Sequence, residues 1–148
     1  MRKTLQTLAL IVVGALIARY YPLEENQQTS PAPATLPADS AALDRLFERR
    51  ESGRMVSVSG RVEKLLADDN KGARHQKFIV RTSSGRTVLV SHNIDLAPRV
   101  AGLREGDEVQ MYGQYEWNNR GGVLHWTHHA PRGDHAEGWI EHNGKRYQ

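Results

Sequence analysis

The chain has no cysteine. That excludes a disulfide framework, thiolate zinc sites and a cysteine nucleophile, so a metal would have to be held by His, Asp or Glu. Net charge is also scarce. The formal +3 comes from Arg2, Lys3 and Arg19, which lie in a stretch with no acid; from Tyr20 onward 17 basic residues face 17 acidic ones. A neutral body gives no ground for a general nucleic-acid binder. No serine sits on a nucleophile elbow, no glycine loop is built to cradle phosphates, and the histidine spacing of helical metalloproteases is missing. Acyl transfer and nucleotide hydrolysis therefore lack support.

What is present begins with Arg2 and Lys3 ahead of the apolar residues 8–18 (LALIVVGALIA), a charged n-region followed by an h-region. Residues 1–21 read as a signal peptide or signal anchor, since the apolar run is shorter than the roughly 20 residues of a spanning helix. The remainder is expected outside the cytoplasm, periplasmic or tethered to the inner membrane, with membrane contact only through this segment. Residues 22–38, rich in Pro and Ala, form a disordered tether. Residues 39–53 predict an amphipathic helix: Asp39 or Ser40 can cap it, Leu43, Leu46 and Phe47 recur at helical spacing, and Gly53 can end it.

From residue 54 the period becomes two. Strands are predicted around residues 56–63, 78–82, 87–92, 109–115 and 123–128, with a hairpin at 83–86 and a non-strand connection over 94–103. Three meandering strands, a connection and a final hairpin make the order of an OB-fold, so residues 54–130 are expected to form an all-β, five-stranded OB-like barrel. An open sheet or an SH3-like barrel is the alternative. Residues 131–148 predict an irregular His/Trp-rich extension packed on the barrel, because Trp139, Ile140 and Tyr147 would otherwise leave apolar surface in water.

Five of the seven histidines fall between Gly121 and His142, interleaved with Trp126 and Trp139. His125, His128, His129 and His135 are candidate ligands for a divalent metal such as zinc, with Asp134, Glu137 and Glu141 as carboxylates. The alternative is a hydrogen-bonded network around the tryptophans. Between Asp69 and Asp95 no acid occurs, whereas Arg74, His75, Lys77, Arg81 and Arg86 do. A cationic face on the second and third strands, with Tyr115, Trp117 and Trp126 nearby, would suit a polyanion or a stacked base. Equally, these basic side chains can be a solvated outer face that protects strand edges. His92, followed by Asn93, is a candidate general base, as are His125 and His128, with Arg99 to neutralise developing charge.

The strings HNIDLAPR and GGVLHWTHH, with RHQKFIV before and GWIEHNGKRYQ after, resemble a family of small exported bacterial proteins catalogued as a domain of unknown function. The likeness spans residues 60–148 and implies a bacterial, exported, OB-like domain, with no activity to carry over. The preferred reading is an exported binding module for an anionic ligand: nucleic acid, nucleotide or polysaccharide. Its alternatives are a histidine-based phosphodiester hydrolase, with or without a metal, and a periplasmic metal-binding protein.

Overall fold

The computed structural model describes residues 40–148; the predicted signal segment, the tether and Asp39 lie outside them. No helix among the described residues is long and apolar enough to cross a membrane. Helix α1 (Ser40–Glu48) leads into β1 (Arg54–Leu65), β2 (His75–Arg81), β3 (Thr87–Asn93), β4 (Glu108–Glu116), β5 (Val123–His125), β6 (Trp139–His142) and β7 (Lys145–Tyr147).

The first five strands close a barrel. β1 pairs antiparallel with β4 along Arg54–Arg61 and then with β2 along Arg61–Leu65, β2 pairs with β3, β3 runs parallel to β5, and β5 returns antiparallel to β4. This is the OB arrangement expected from the strand order. Alternation fills it: Val56, Val58 and Val62 of β1, Phe78 and Val80 of β2, Val88 and Val90 of β3, and Val109, Met111 and Tyr115 of β4 are all buried. At the 118–122 turn, a Cβ on Gly122 would lie 2.2 Å from the Tyr115 ring, and φ there is 88°. Only glycine lets β5 start against that ring.

The helix ends before the predicted Gly53. Arg50 takes φ 56°, Glu51 N–H donates to Leu46 C=O at 2.9 Å, and Arg50 N–H donates to Phe47 C=O at 3.1 Å, which is a Schellman ending built on an arginine. The Arg50 guanidinium lies 5.4 Å from the Trp117 ring centre. Leu43 is fully buried in the barrel core. Trp117 Nε1–H donates to Phe47 C=O at 3.1 Å. Asp44 accepts from Arg86 Nε at 2.6 Å and from Ser84 Oγ at 3.1 Å, fastening α1 to the β2–β3 hairpin. Both partners of this ion pair are about three-quarters shielded from solvent. Asp44→Ala should therefore lower the unfolding free energy by about 1 kcal/mol; an unchanged denaturant midpoint would show that α1 is held by its apolar face alone.

The C-terminal extension is more regular than expected. β6 pairs with β4 over Val109–Tyr112, on the same edge whose other half, Gln114–Glu116, pairs with β5. β7 then closes a hairpin on β6. Ile140 and Tyr147 join the core, as the apolar count of this segment requires. Residues 126–138 thus leave the β4 edge and return to it, carrying His129 and His135 outward.

Candidate functional site: a histidine cleft

The alternation predicted through residue 128 breaks at Trp126, whose φ is 51°. β5 consequently ends at His125, and Thr127 and His128 both turn inward, with 0% and 3% of their surface exposed. The excursion is pinned at its base by Gly138. A Cβ there would stand 2.0 Å from Trp126 C=O and 2.4 Å from Tyr112 C=O. Gly138 N–H also donates to His128 C=O at 3.0 Å.

Beside this loop lies a cleft of about 310 Å³ lined by His75, Ser91, Asn93, Leu96, His125, Trp126, His128, Arg132, Asp134 and His135. β2 delivers His75, the outward face of β3 delivers Ser91 and Asn93, the connection after β3 delivers Leu96, β5 delivers His125, and the 126–138 loop brings the rest. The imidazoles from separate runs of the sequence do converge. His125 and His135 both stack on Trp126, at ring separations of 5.2 and 4.4 Å, and His128 meets His135 edge-on at 5.2 Å.

Hydrogen bonds fix which ring nitrogens face the cleft. His128 Nδ1–H donates to His129 C=O at 2.6 Å and His135 Nδ1–H donates to Ala136 C=O at 2.8 Å. A carbonyl can only accept, so in the neutral rings Nε2 keeps its lone pair. His125 Nε2–H donates to Gln114 Oε1 at 3.1 Å, with Glu116 Oε1 at 3.6 Å. Burial holds the pKa of both His125 and His128 below the ordinary imidazole value, and Glu116 partly offsets this for His125. Both are therefore mainly uncharged at neutral pH.

Several residues singled out in the sequence serve the fold instead. His92 is fully buried and cannot meet a substrate. Its Nε2–H donates to Pro98 C=O at 3.1 Å, and Nδ1 accepts from Thr127 Oγ1 at 2.9 Å. Burial pushes its pKa down to about 4. The surrounding HNIDLAPR string is a clasp. Asn93 Oδ1 accepts from Asp95 N–H at 2.9 Å, and Asp95 accepts from Arg74 N–H at 2.7 Å and Arg74 Nε at 2.6 Å. Those donors hold the Asp95 carboxyl below its usual value, the Arg74 backbone bond contributing most. Arg99 makes a bidentate pair with Asp68 and does not line the cleft.

The expected cationic face is largely neutralised as well. Arg81 pairs with Glu63, Arg86 with Asp44 and Arg74 with Asp95. Lys77 alone of the four forms no ion pair among the described residues. Tyr115 is buried, its hydroxyl donating to Gly121 C=O at 3.1 Å, and Trp117 is covered by α1. Tyr115 therefore cannot stack a ligand base, and half-buried Trp117 already packs against Phe47 and Arg50. Trp126 does line the cleft, yet it already carries two imidazoles.

His129 turns away toward Glu137, 3.3 Å distant, and so leaves the other three histidines proposed as metal ligands. Among the described residues no group of three or more His, Asp or Glu is disposed to hold a metal ion. Ser91, Leu96 and Arg132 were not anticipated. Ser91 could have been found from the strand period, since it alternates outward between the buried Val90 and His92.

No curated protein matches the chain. A family model described as "Protein of unknown function (DUF3465)" matches residues 28–148, a longer stretch than the likeness noted from residue 60, and on that match the chain belongs to the DUF3465 family.

Proposed function

We propose that this chain is an exported OB-barrel module that binds an anionic ligand in the histidine cleft, and not on the β2–β3 face. One observation carries the reading: four imidazoles from β2, β5 and the 126–138 loop meet around a single cavity, beside the Ser91 hydroxyl. The arginines of the β2–β3 face, Arg74, Arg81 and Arg86, are engaged in ion pairs, whereas the cleft gathers imidazole nitrogens that become donors to an anion once protonated. Nucleic acid, nucleotides and polysaccharides are the ligand classes. Export is supported by the charged and apolar residues 1–21, and a chain without cysteine is unharmed by an oxidising compartment.

The test is a panel of a single-stranded oligonucleotide, a mononucleotide and a uronate polysaccharide, followed by tryptophan fluorescence at two salt concentrations. Salt-sensitive binding by at least one member is expected, weakened about tenfold or more by His128→Gln in a variant that still unfolds cooperatively. Retention in His128→Gln together with loss in Lys77→Ala would return the site to the strand face.

A second reading, phosphodiester hydrolysis, is favoured by the His128 ring itself. Its clamped Nδ1–H and free Nε2 make the arrangement a general base needs. Release of product from the oligonucleotide would separate it from simple binding.

A further inference from the structure

We infer that the cleft receives the phosphomonoester end of its ligand, bound together with protons that the imidazoles take up on binding. This rests on the anion-binding reading and names its chemistry more closely.

The position of the donors is the first reason. His128 is only 3% exposed, so the imidazole best fixed in orientation sits at the inner end of the cavity. A terminal group can reach it, whereas a chain running past the mouth cannot. The number of donors is the second. Protonated rings at His75, His125, His128 and His135, with Ser91 and Arg132, offer several N–H and O–H groups around one point, which suits the three terminal oxygens of a monoester. The size is the third: about 310 Å³ is more than one phosphate fills, and the remainder, beside Leu96 and Trp126, can take the adjoining organic part. Leu96 is 46% exposed, an apolar side chain standing at the cavity with nothing over it.

Proton uptake follows from what else faces the site. Besides the cleft rings, the charged and titratable groups are Asp95, which interacts with His75 of β2, His92 beneath on β3, Glu116 from β4 against His125, and Arg132 and Asp134 from the loop. Arg132 and Asp134 pair with each other at 3.0 Å, so the guanidinium is already half spent. No fixed cation remains to match a dianion. The charge must come from imidazoles: burial keeps His125 and His128 uncharged in the free cleft, so a dianion that enters draws protons in with it.

The experiment is calorimetric titration of the protein with inorganic phosphate and with dimethyl phosphate, at pH 6.5, in two buffers of different ionisation heat. Phosphate is expected to bind with uptake of about one proton or more, at least tenfold more tightly than the diester, and to stop binding in the His128→Gln/His135→Gln variant. If the oligonucleotide binds at the cleft but phosphate does not, or if the diester binds as well as phosphate, the monoester inference is overturned and the anion reading stands. Binding of phosphate without proton uptake overturns it too. If neither phosphate nor any member of the anionic panel binds, both fail together.

Discussion

Lowering the pH from 7 to 4 should cost the barrel roughly 3 kcal/mol through His92 alone. The folded protein holds this ring neutral, with its pKa near 4, while the unfolded chain protonates it at about 6.5. A group whose folded pKa is depressed in this way contributes its full stability above the unfolded value. As pH falls below about 6.5 the unfolded chain binds the proton first, and the contribution is lost progressively down to about pH 4. His125 and His128, also lowered by burial, act in the same direction. Asp95 and Asp107, lowered by hydrogen bonds first from backbone N–H groups, weaken only further down, as pH passes below the ordinary carboxylate value. Urea denaturation across this range separates the two windows. His92→Gln should be less stable than the parent at pH 7 by about 2 kcal/mol, because Pro98 C=O and Thr127 Oγ1 lose a well-placed partner, and the gap should close by pH 4.5. A parent protein whose unfolding free energy stays level from pH 7 to 5 would contradict the account of His92.

Gly138→Ala should be the added methyl that most disturbs the 126–138 loop. The added carbon would meet two main-chain carbonyls, of Trp126 and Tyr112, at 2.0 and 2.4 Å, distances that no side-chain rotation can relieve. Either β6 slides away from β4 or the 126–138 loop lifts from its base. In both cases the Gly138 N–H to His128 C=O bond is broken and His128 loses its fixed place. We expect about 3 kcal/mol of lost stability and loss of anion binding beyond tenfold. Gly133→Ala, in the same loop but with open space around it at φ 64°, should cost only about 1 kcal/mol from backbone strain and spare the cleft. Equal effects at the two positions would mean that the clash is absorbed elsewhere.

The sequence made the barrel legible because period-two alternation survives intact in β1 to β4, and because the order of strands and connection admits few closures. Whether His75, His125, His128 and His135 meet was not legible, because it depends on strand register and on the path of the 126–138 loop. What escaped notice depended on one backbone angle. Alternation predicts His125 and Thr127 on the same face; the positive φ at Trp126 instead buries Thr127 against His92 and turns His128 inward. Nothing in a β-rich string such as VLHWTHH marks an aromatic residue for that conformation. The cationic face failed for a different reason. Arg74, Arg81, Arg86 and Arg99 look unopposed along the chain, yet each finds a carboxylate brought from 18 to 42 positions away: Asp95, Glu63, Asp44 and Asp68. Local charge counts cannot see partners supplied by tertiary structure. Burial of Tyr115 and Trp117 has the same origin, in a core and a helix interface that only the closed barrel defines.

The most direct test of the central claim is a histidine-selective ¹⁵N–¹H spectrum of the protein at pH 6.5, with and without the tightest-binding member of the anionic panel. The cleft reading predicts that the ring signals of His75, His125, His128 and His135 move on saturation. His92 and His142, the latter buried against Asp107 at 2.8 Å, should stay where they are. Unmoved cleft imidazoles in the saturated complex would contradict it and place the ligand elsewhere on the barrel.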